Sequence, residues 1–402
     1  MDQILPSWLD HKFIEKILKN IENDDSICVV NINSKRASGE ADNFTSLIIR
    51  LIVDFTINEK SKKLFKKKSL IVKIAQVKNG RNKEVIEQMG VFNTEIMMMT
   101  STLKEMEKIL DDGTKLCSEY FYGQDHSPDV IIMEDLIESG FRLVDKRAGL
   151  DLQHSLFAIR NLAKFHASSV ALVEKNPNCK KQYNKGFFYI TDELKEWKEF
   201  IDSTMKLFGK VVSSWPNLGQ KYQDKLSKIS DNLYNLIAKK TIVNENEFNV
   251  INHGDFWINN MLFHYDNNNQ VDGHIFLDFQ QPVYKSPAID LNYFLHTSLS
   301  EDVFINHRDE ILQEYLNVLT MTMKKIGCKT LPPSMDGLIK LIHKYEIYSI
   351  FAGCVCLPIM TADRKDVKNI EAAVIECLSN QFFLKRITKR LEAWDKIELF
   401  DI

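Results

Sequence analysis

The sequence predicts an α+β protein in two lobes: a small strand-rich one over residues 1–135 and a larger, mainly helical one over 136–402. Two patterns lead there. β-Branched runs bounded by turn-prone polar residues crowd into the first third of the chain, whereas apolar residues at helical spacing dominate the remainder. The 402 residues are enough for two domains or for one two-lobed fold.

Taken in order, Leu9, Phe13, Ile14 and Ile17 are spaced as the apolar stripe of a first amphipathic helix. "SICVVNI" (26–32), "FTSLIIRLIVDFTI" (44–57) and "SLIVKIA" (69–75) read as three strands. "GVFNTEIMMMTSTLKEMEKIL" (90–110) reads as a helix with Phe92, Met99, Leu103 and Met106 on one side, and "SEYFYG" (118–123) and "DVIIMEDL" (129–136) as two more strands. After Leu136 the character changes. Residues 151–175 place Leu152, Leu156, Ile159, Ala163 and Val170 at helical spacing, with His166 on or near that apolar face as a core histidine. Further helices are expected over 191–215, 221–240, 301–326, 334–357 and 366–394, and no internal repeat is visible.

Composition excludes several classes. A hydrophobic share of 44% with 27% charged residues is that of a globular protein, and a net charge of −3 gives no electrostatic reason to expect nucleic acid as the partner. The basic run "KSKKLFKKKS" (60–69) reads as a solvated hairpin loop. No basic n-region precedes an apolar run at the start, so no signal peptide is expected. The longest apolar run, "IYSIFAGCVCLPIM" (347–360), is too short for a membrane span and reads as a buried helix ending at Pro358. The 7 cysteines are scattered and odd in number, and Cys354 and Cys356 lack a second pair at metal-ligand spacing. A cytoplasmic protein without an evident protein partner is the expectation.

Chemistry concentrates in "VINHGDFWINNMLFHYDNNNQVDGHIFLDFQ" (250–280), where His253, Asp255, Asn260 and Asp278 are flanked by apolar runs. Such residues cost free energy among buried strands unless partners satisfy them. "HGDFWINN" is His-x-Asp with an Asn five residues after the Asp, the spacing of a phosphotransferase loop in which the Asp takes the proton of the attacking hydroxyl and the Asn ligates magnesium. "MLFHY", the turn-forming "DNNNQVDG" and "HIFLDFQ" form a hairpin that returns Asp278 beside that loop, where a carboxylate suits Mg²⁺. Turn chemistry, with Asn and Asp bonding local backbone, would account for the trio alone. The N-terminal part supplies what such a reaction also needs. Lys73 lies in "LIVKIA", Glu95 sits early in the next helix, and "KRASGEADNFTS" (35–46) offers Gly39, Asn43, Thr45 and Ser46 as phosphate donors.

"VINHGDFWINNMLF", "IFLDFQ" and "SPAIDLNYFLHTSLS" resemble the ecdysteroid kinase-like proteins of the choline kinase and aminoglycoside phosphotransferase superfamily. "GEADNFTS", "LIVKIA", "VFNTEIMMM", "IIMEDL" and "LAKFHASS" follow in the expected order across nearly the whole chain. The resemblance implies a bilobal protein-kinase-like fold that uses Mg²⁺ and ATP to phosphorylate a small-molecule hydroxyl. It makes Asp255 the base, Asn260 and Asp278 the metal ligands, and Lys73, paired with Glu95, the holder of the α/β-phosphates. "MEDL" becomes the hinge, with Met133, Glu134 and Leu136 at the adenine, while His253 and Asp290 brace the loop. Ala41 departs from the glycine that relatives often carry, and its methyl limits how closely the backbone approaches phosphate. The acceptor implied is an ecdysteroid or related steroid alcohol, with choline, ethanolamine, xenobiotic alcohols and glycosides as alternatives. Trp197, Phe200, Phe208, Trp215, Trp257, Tyr315 and Tyr348 are the aromatics from which an apolar pocket would draw. A non-catalytic nucleotide- or ligand-binding module is the rival of another class. A protein kinase fits less well, since the chain reads "HGD" and "DFQ" where that class has H-R-D and D-F-G.

Overall fold

The β-branched runs of the N-terminal third pair into one antiparallel sheet of five strands in the order β1-β2-β3-β5-β4. The strands are β1 (Cys28–Arg36), β2 (Ser46–Glu59), β3 (Lys62–Ala75), β4 (Tyr120–Gln124) and β5 (Val130–Glu134). This computed structural model describes residues 5–37, 46–60, 62–75, 88–126, 128–216, 218–361 and 375–401. Gly39, Ala41, Asn43 and Thr45 of the expected phosphate loop lie outside the described residues, as does most of the expected start of the last helix.

Alternation along β2 and β3 buries Ile49, Leu51, Val53, Phe55, Leu70 and Val72. They share one core with Ile14, Ile17 and Leu18 of the first helix, His11–Glu22. Each such aliphatic side chain contributes about 1.5–3 kcal/mol by leaving water. That helix starts where Asp10 accepts from the Phe13 N–H at 2.8 Å, and it ends at Asn23 in the left-handed conformation.

The basic run is not a loop. Lys62–Lys68 continues β3, paired residue by residue with Val53–Glu59 of β2, and Lys60, at φ +48°, turns the chain. Its side chains through Lys67 are exposed, so periodic burial, the usual mark of a strand, is missing; the ladder and the Lys68–Glu22 ion pair at 2.6 Å hold it instead. The helix over 90–110 is also interrupted. Val91–Met97 and Leu103–Leu110 are joined by a π-helical turn, Met98–Thr102.

The chain divides into two compact units: one of residues 1–102 with 117–142, the other of residues 103–116 with 143–402. In the second, helix Leu152–Lys175 packs along helix Arg308–Lys325 and against a hairpin of β7 (Met261–Tyr265) and β8 (Val271–Phe276). A short pair, β6 (Val250–Asn252) with β9 (Val283–Lys285), flanks the hairpin in sequence. Helices Lys195–Ser213, Gly219–Ser230 and Leu233–Lys240 precede that region. Helix Ala288–Thr297 follows it, and every one of its residues is buried. The apolar run at 347–360 is helical, with 347–355 buried, but the helix runs on to Thr361 past Pro358. A π-helical stretch at Phe351–Cys356 widens the coil just where the proline ring would meet the carbonyl four residues back. No helix among the described residues is long and apolar enough to cross a membrane.

Candidate active site

Two clusters of buried polar residues stand out, one in each unit. In the sheet unit, Lys73 Nζ lies 2.6 Å from Glu95 Oε2, with both side chains almost wholly buried. β3 places Lys73 opposite Ile131 of β5, so the lysine sits mid-sheet rather than at a solvated edge. Met133 and Glu134 end β5, and Leu136 follows it. The Asp135 carboxylate between them accepts from Arg50 at 2.5 Å and from Ser69 at 2.6 Å, which holds the strand exit. Ser46 is buried at the start of β2.

The second cluster begins where β6 ends. Gly254 has φ +81°, and a Cβ on it would fall 1.7 Å from the Gln281 carbonyl oxygen, so only glycine fits this corner. The corner is tied to Asp290, in the first turn of helix Ala288–Thr297. Its carboxylate accepts from the His253 N–H at 2.7 Å and the Gly254 N–H at 2.8 Å. It also meets His166 Nε2 at 3.1 Å. Because a carboxylate only accepts, Nε2 carries the proton there. Burial lowers the His166 pKa, so the ring is neutral and Nδ1 accepts from the Tyr315 hydroxyl at 2.8 Å. His166 is thus a satisfied core histidine, but one whose partner orients the loop.

His253 turns its ring the other way, with Nε2 donating to the Leu277 carbonyl at 2.9 Å. The Leu277 N–H in turn donates to the Asn260 carbonyl at 2.9 Å. These two bonds set Asp278, just beyond β8, next to the loop. Asp278 has φ +65°, a left-handed conformation unusual for a side chain larger than glycine. The Asn260 amide donates to Asp255 Oδ2 at 2.8 Å and to the Asp255 carbonyl at 3.0 Å, and the Tyr293 hydroxyl donates to Asp255 Oδ1 at 2.8 Å. Both carboxylate oxygens are thereby fixed. Desolvation first, then the charge of Asp278, pushes the Asp255 pKa up to about 7, against the lowering effect of those two donors.

The oxygen atoms here fit a magnesium ion. With its NH₂ committed to Asp255, Asn260 has a carbonyl oxygen to offer, and Asp278 adds a carboxylate; both are hard ligands. No group of three or more His, Cys, Asp or Glu among the described residues forms a ready cage.

The ecdysteroid kinase-like family profile matches residues 40–328. The chain belongs to that family. This ecdysteroid kinase-like protein is therefore a small-molecule phosphotransferase acting on hydroxyl acceptors, with the α+β, kinase-like fold of its family. No curated protein matches the sequence. A solved glucosamine kinase, in complex with glucosamine, ADP and inorganic phosphate, is similar over 84% of this chain and 92% of its own, at 9% identity and a TM-score of 0.31.

Of the residues expected from the sequence, the structure brings Asp255, Asn260, Asp278, His253 and Asp290 together in one unit, and Lys73 with Glu95 in the other. Tyr293 was missed. It stands three residues after Asp290, on the same helix face, and that spacing was the available signal. Among the expected pocket aromatics, Phe208, Tyr315 and Tyr348 are core residues. Trp197, Phe200, Trp215 and Trp257 are half-buried.

Proposed function

We propose that this protein is an ATP- and Mg²⁺-dependent kinase that phosphorylates a hydroxyl of an ecdysteroid or related steroid alcohol. The observation that carries the reading is Asp255, a carboxylate held at both oxygens by Asn260 and Tyr293, the fixed geometry that a group taking a proton needs. A binding module has no use for such a group. The steroid acceptor rests on the family itself.

In this reading Asp255 receives the proton of the acceptor hydroxyl while Tyr293 and Asn260 keep the carboxylate aimed. The hydroxyl oxygen bonds to the γ-phosphorus, the bond from that phosphorus to the β,γ-bridging oxygen breaks, and ADP leaves. Bound through Asn260 and Asp278, magnesium would neutralise charge on the phosphates. Lys73, oriented by Glu95, holds the α/β-phosphates, and the backbone of Met133, Glu134 and Leu136 meets the adenine. Gly39, Asn43 and Ser46 serve as phosphate-loop donors. Most of the rate enhancement then comes from positioning and fixed charge.

The test is product formation from Mg-ATP across ecdysteroids, other sterols, choline, ethanolamine and glycosides, read by mass spectrometry. Asp255→Asn should lower turnover by about 10²–10⁴-fold, the usual worth of a general base, while keeping Mg-ATP affinity within a few-fold. Asp278→Ala should lose the magnesium dependence of nucleotide binding. Equal Mg-ATP affinity in wild type and Asp278→Ala would overturn the metal assignment.

A further inference from the structure

The Tyr293 ring whose hydroxyl bonds Asp255 is the inner end of a row of aromatic rings. Its centroid lies 6.5 Å from Phe187. Phe187 lies 5.8 Å from Trp197 at an interplanar angle of 27°, and Trp197 lies 5.5 Å from Phe200 at 15°. Tyr293 is buried, as is Phe351 beside it, whereas Phe187, Trp197 and Phe200 are half-buried. The row therefore runs from the base toward solvent, and its displaced stacking leaves part of each outer ring uncovered.

The segment bearing Phe187 is irregular, yet it is held as firmly as a strand. Trp197 Nε1 donates to the Phe187 carbonyl at 3.1 Å, Lys285 Nζ to the Phe188 carbonyl at 2.8 Å, and the Tyr234 hydroxyl to the Tyr189 carbonyl at 2.9 Å; Lys198 Nζ reaches the Thr191 carbonyl. Lys285 is buried with no carboxylate partner among the described residues, a costly arrangement for holding a simple surface turn. Glu196 lies one helical turn before Phe200 on the same face, and its Oε2 is enclosed without a hydrogen-bond partner. A ligand hydroxyl would satisfy it.

From this geometry we infer that Phe187, Trp197 and Phe200 form the acceptor-binding wall, taking a neutral, flat, fused-ring polyol whose reacting hydroxyl reaches Asp255 past Tyr293. The inference deepens the kinase reading and rests on it for the role of Asp255. Shape selects the class. A quaternary ammonium is caged by ring faces that converge, whereas these rings run nearly parallel in one row. A large apolar ring face gains most from such a wall, and the fixed segment leaves little to order on binding.

The experiment is equilibrium dialysis of the full chain with ecdysone, and separately with choline, in the absence of nucleotide, followed by KM and kcat for any acceptor that turns over. Trp197→Ala and Phe200→Ala should each weaken ecdysone binding about tenfold or more by removing stacked area, with kcat changed far less than KM. Trp197→Phe should restore binding to within about threefold, which separates loss of the ring from loss of the fold. Failure of wild type to bind ecdysone, wild-type affinity in both alanine variants, or choline binding that depends on Trp197 would each overturn the inference. Wall-dependent ecdysone binding without phosphorylated product would instead sink the kinase reading and leave the wall standing.

Discussion

Asp255 meets two opposing demands. Burial and the neighbouring Asp278 favour its protonated form, while Tyr293 and Asn260 favour the charged form that accepts a proton. The balance leaves its pKa near 7 against an ordinary 3.8. In the metal-free protein the folded state thus binds this proton more tightly than the unfolded chain does. The sign follows: stability from this group is greatest below about pH 4, falls as pH rises toward 7, and is level above that. Asp255→Asn should flatten the slope, melting above wild type at pH 8 and level with it at pH 4 in differential scanning calorimetry. Tyr293→Phe removes a donor that lowers the pKa, so the acidic limb of the pH–rate profile should move to higher pH. Turnover at pH 7 should fall by roughly 10-fold, the worth of one hydrogen bond to a charged group. An unmoved limb would show that Tyr293 does not act through Asp255.

At the scale of elements, helix Ala288–Thr297 is the clearest lesson. It carries Asp290, which holds the loop backbone, and Tyr293, which holds the base, yet no helix is expected there from the sequence. An amphipathic stripe marks a helix with one wet face. This helix has none, because every residue in it is buried, so "AIDLNYFLHT" shows no period to read. The β2–β3 ribbon fails in the opposite direction. At its tip, Lys62–Lys67 are all exposed, so alternation vanishes and a strand looks like a loop. Asp290→Ala tests the helix's part in the site. It strips the acceptor from two buried N–H groups and from His166. Destabilisation should reach about 3–5 kcal/mol by urea denaturation, as for other broken buried networks. A loss under about 1 kcal/mol would show that the loop holds its shape without Asp290.

At the scale of the molecule, the buried ion pair of the sheet unit can be tested apart from the Asp255 cluster. Lys73 and Glu95 are an ion pair with nearly no solvent access, so removing one takes the 2.6 Å counter-charge from the other in a buried setting. Lys73→Met should destabilise the protein by about 3–5 kcal/mol, and the added Glu95→Leu should recover much of that loss. Nucleotide affinity should stay low in the double variant. Restored stability with restored nucleotide binding would make the pair structural alone.

What the sequence by itself determined was local. The strand-rich start, the helical remainder and the His-x-Asp and Asn spacing depend on neighbours a few residues apart, and there periodicity and turn chemistry are legible. The order of Lys73, Glu95, Asp255, Asn260 and Asp278 was legible for the same reason. Only the tertiary structure decided which of the aromatics stay in the core and which reach the half-buried row. It also decided that His166, far away in sequence, holds Asp290, and that Tyr293 touches the base. Those contacts join residues 38 to 124 positions apart, where burial in a common core, not sequence spacing, chooses the partners.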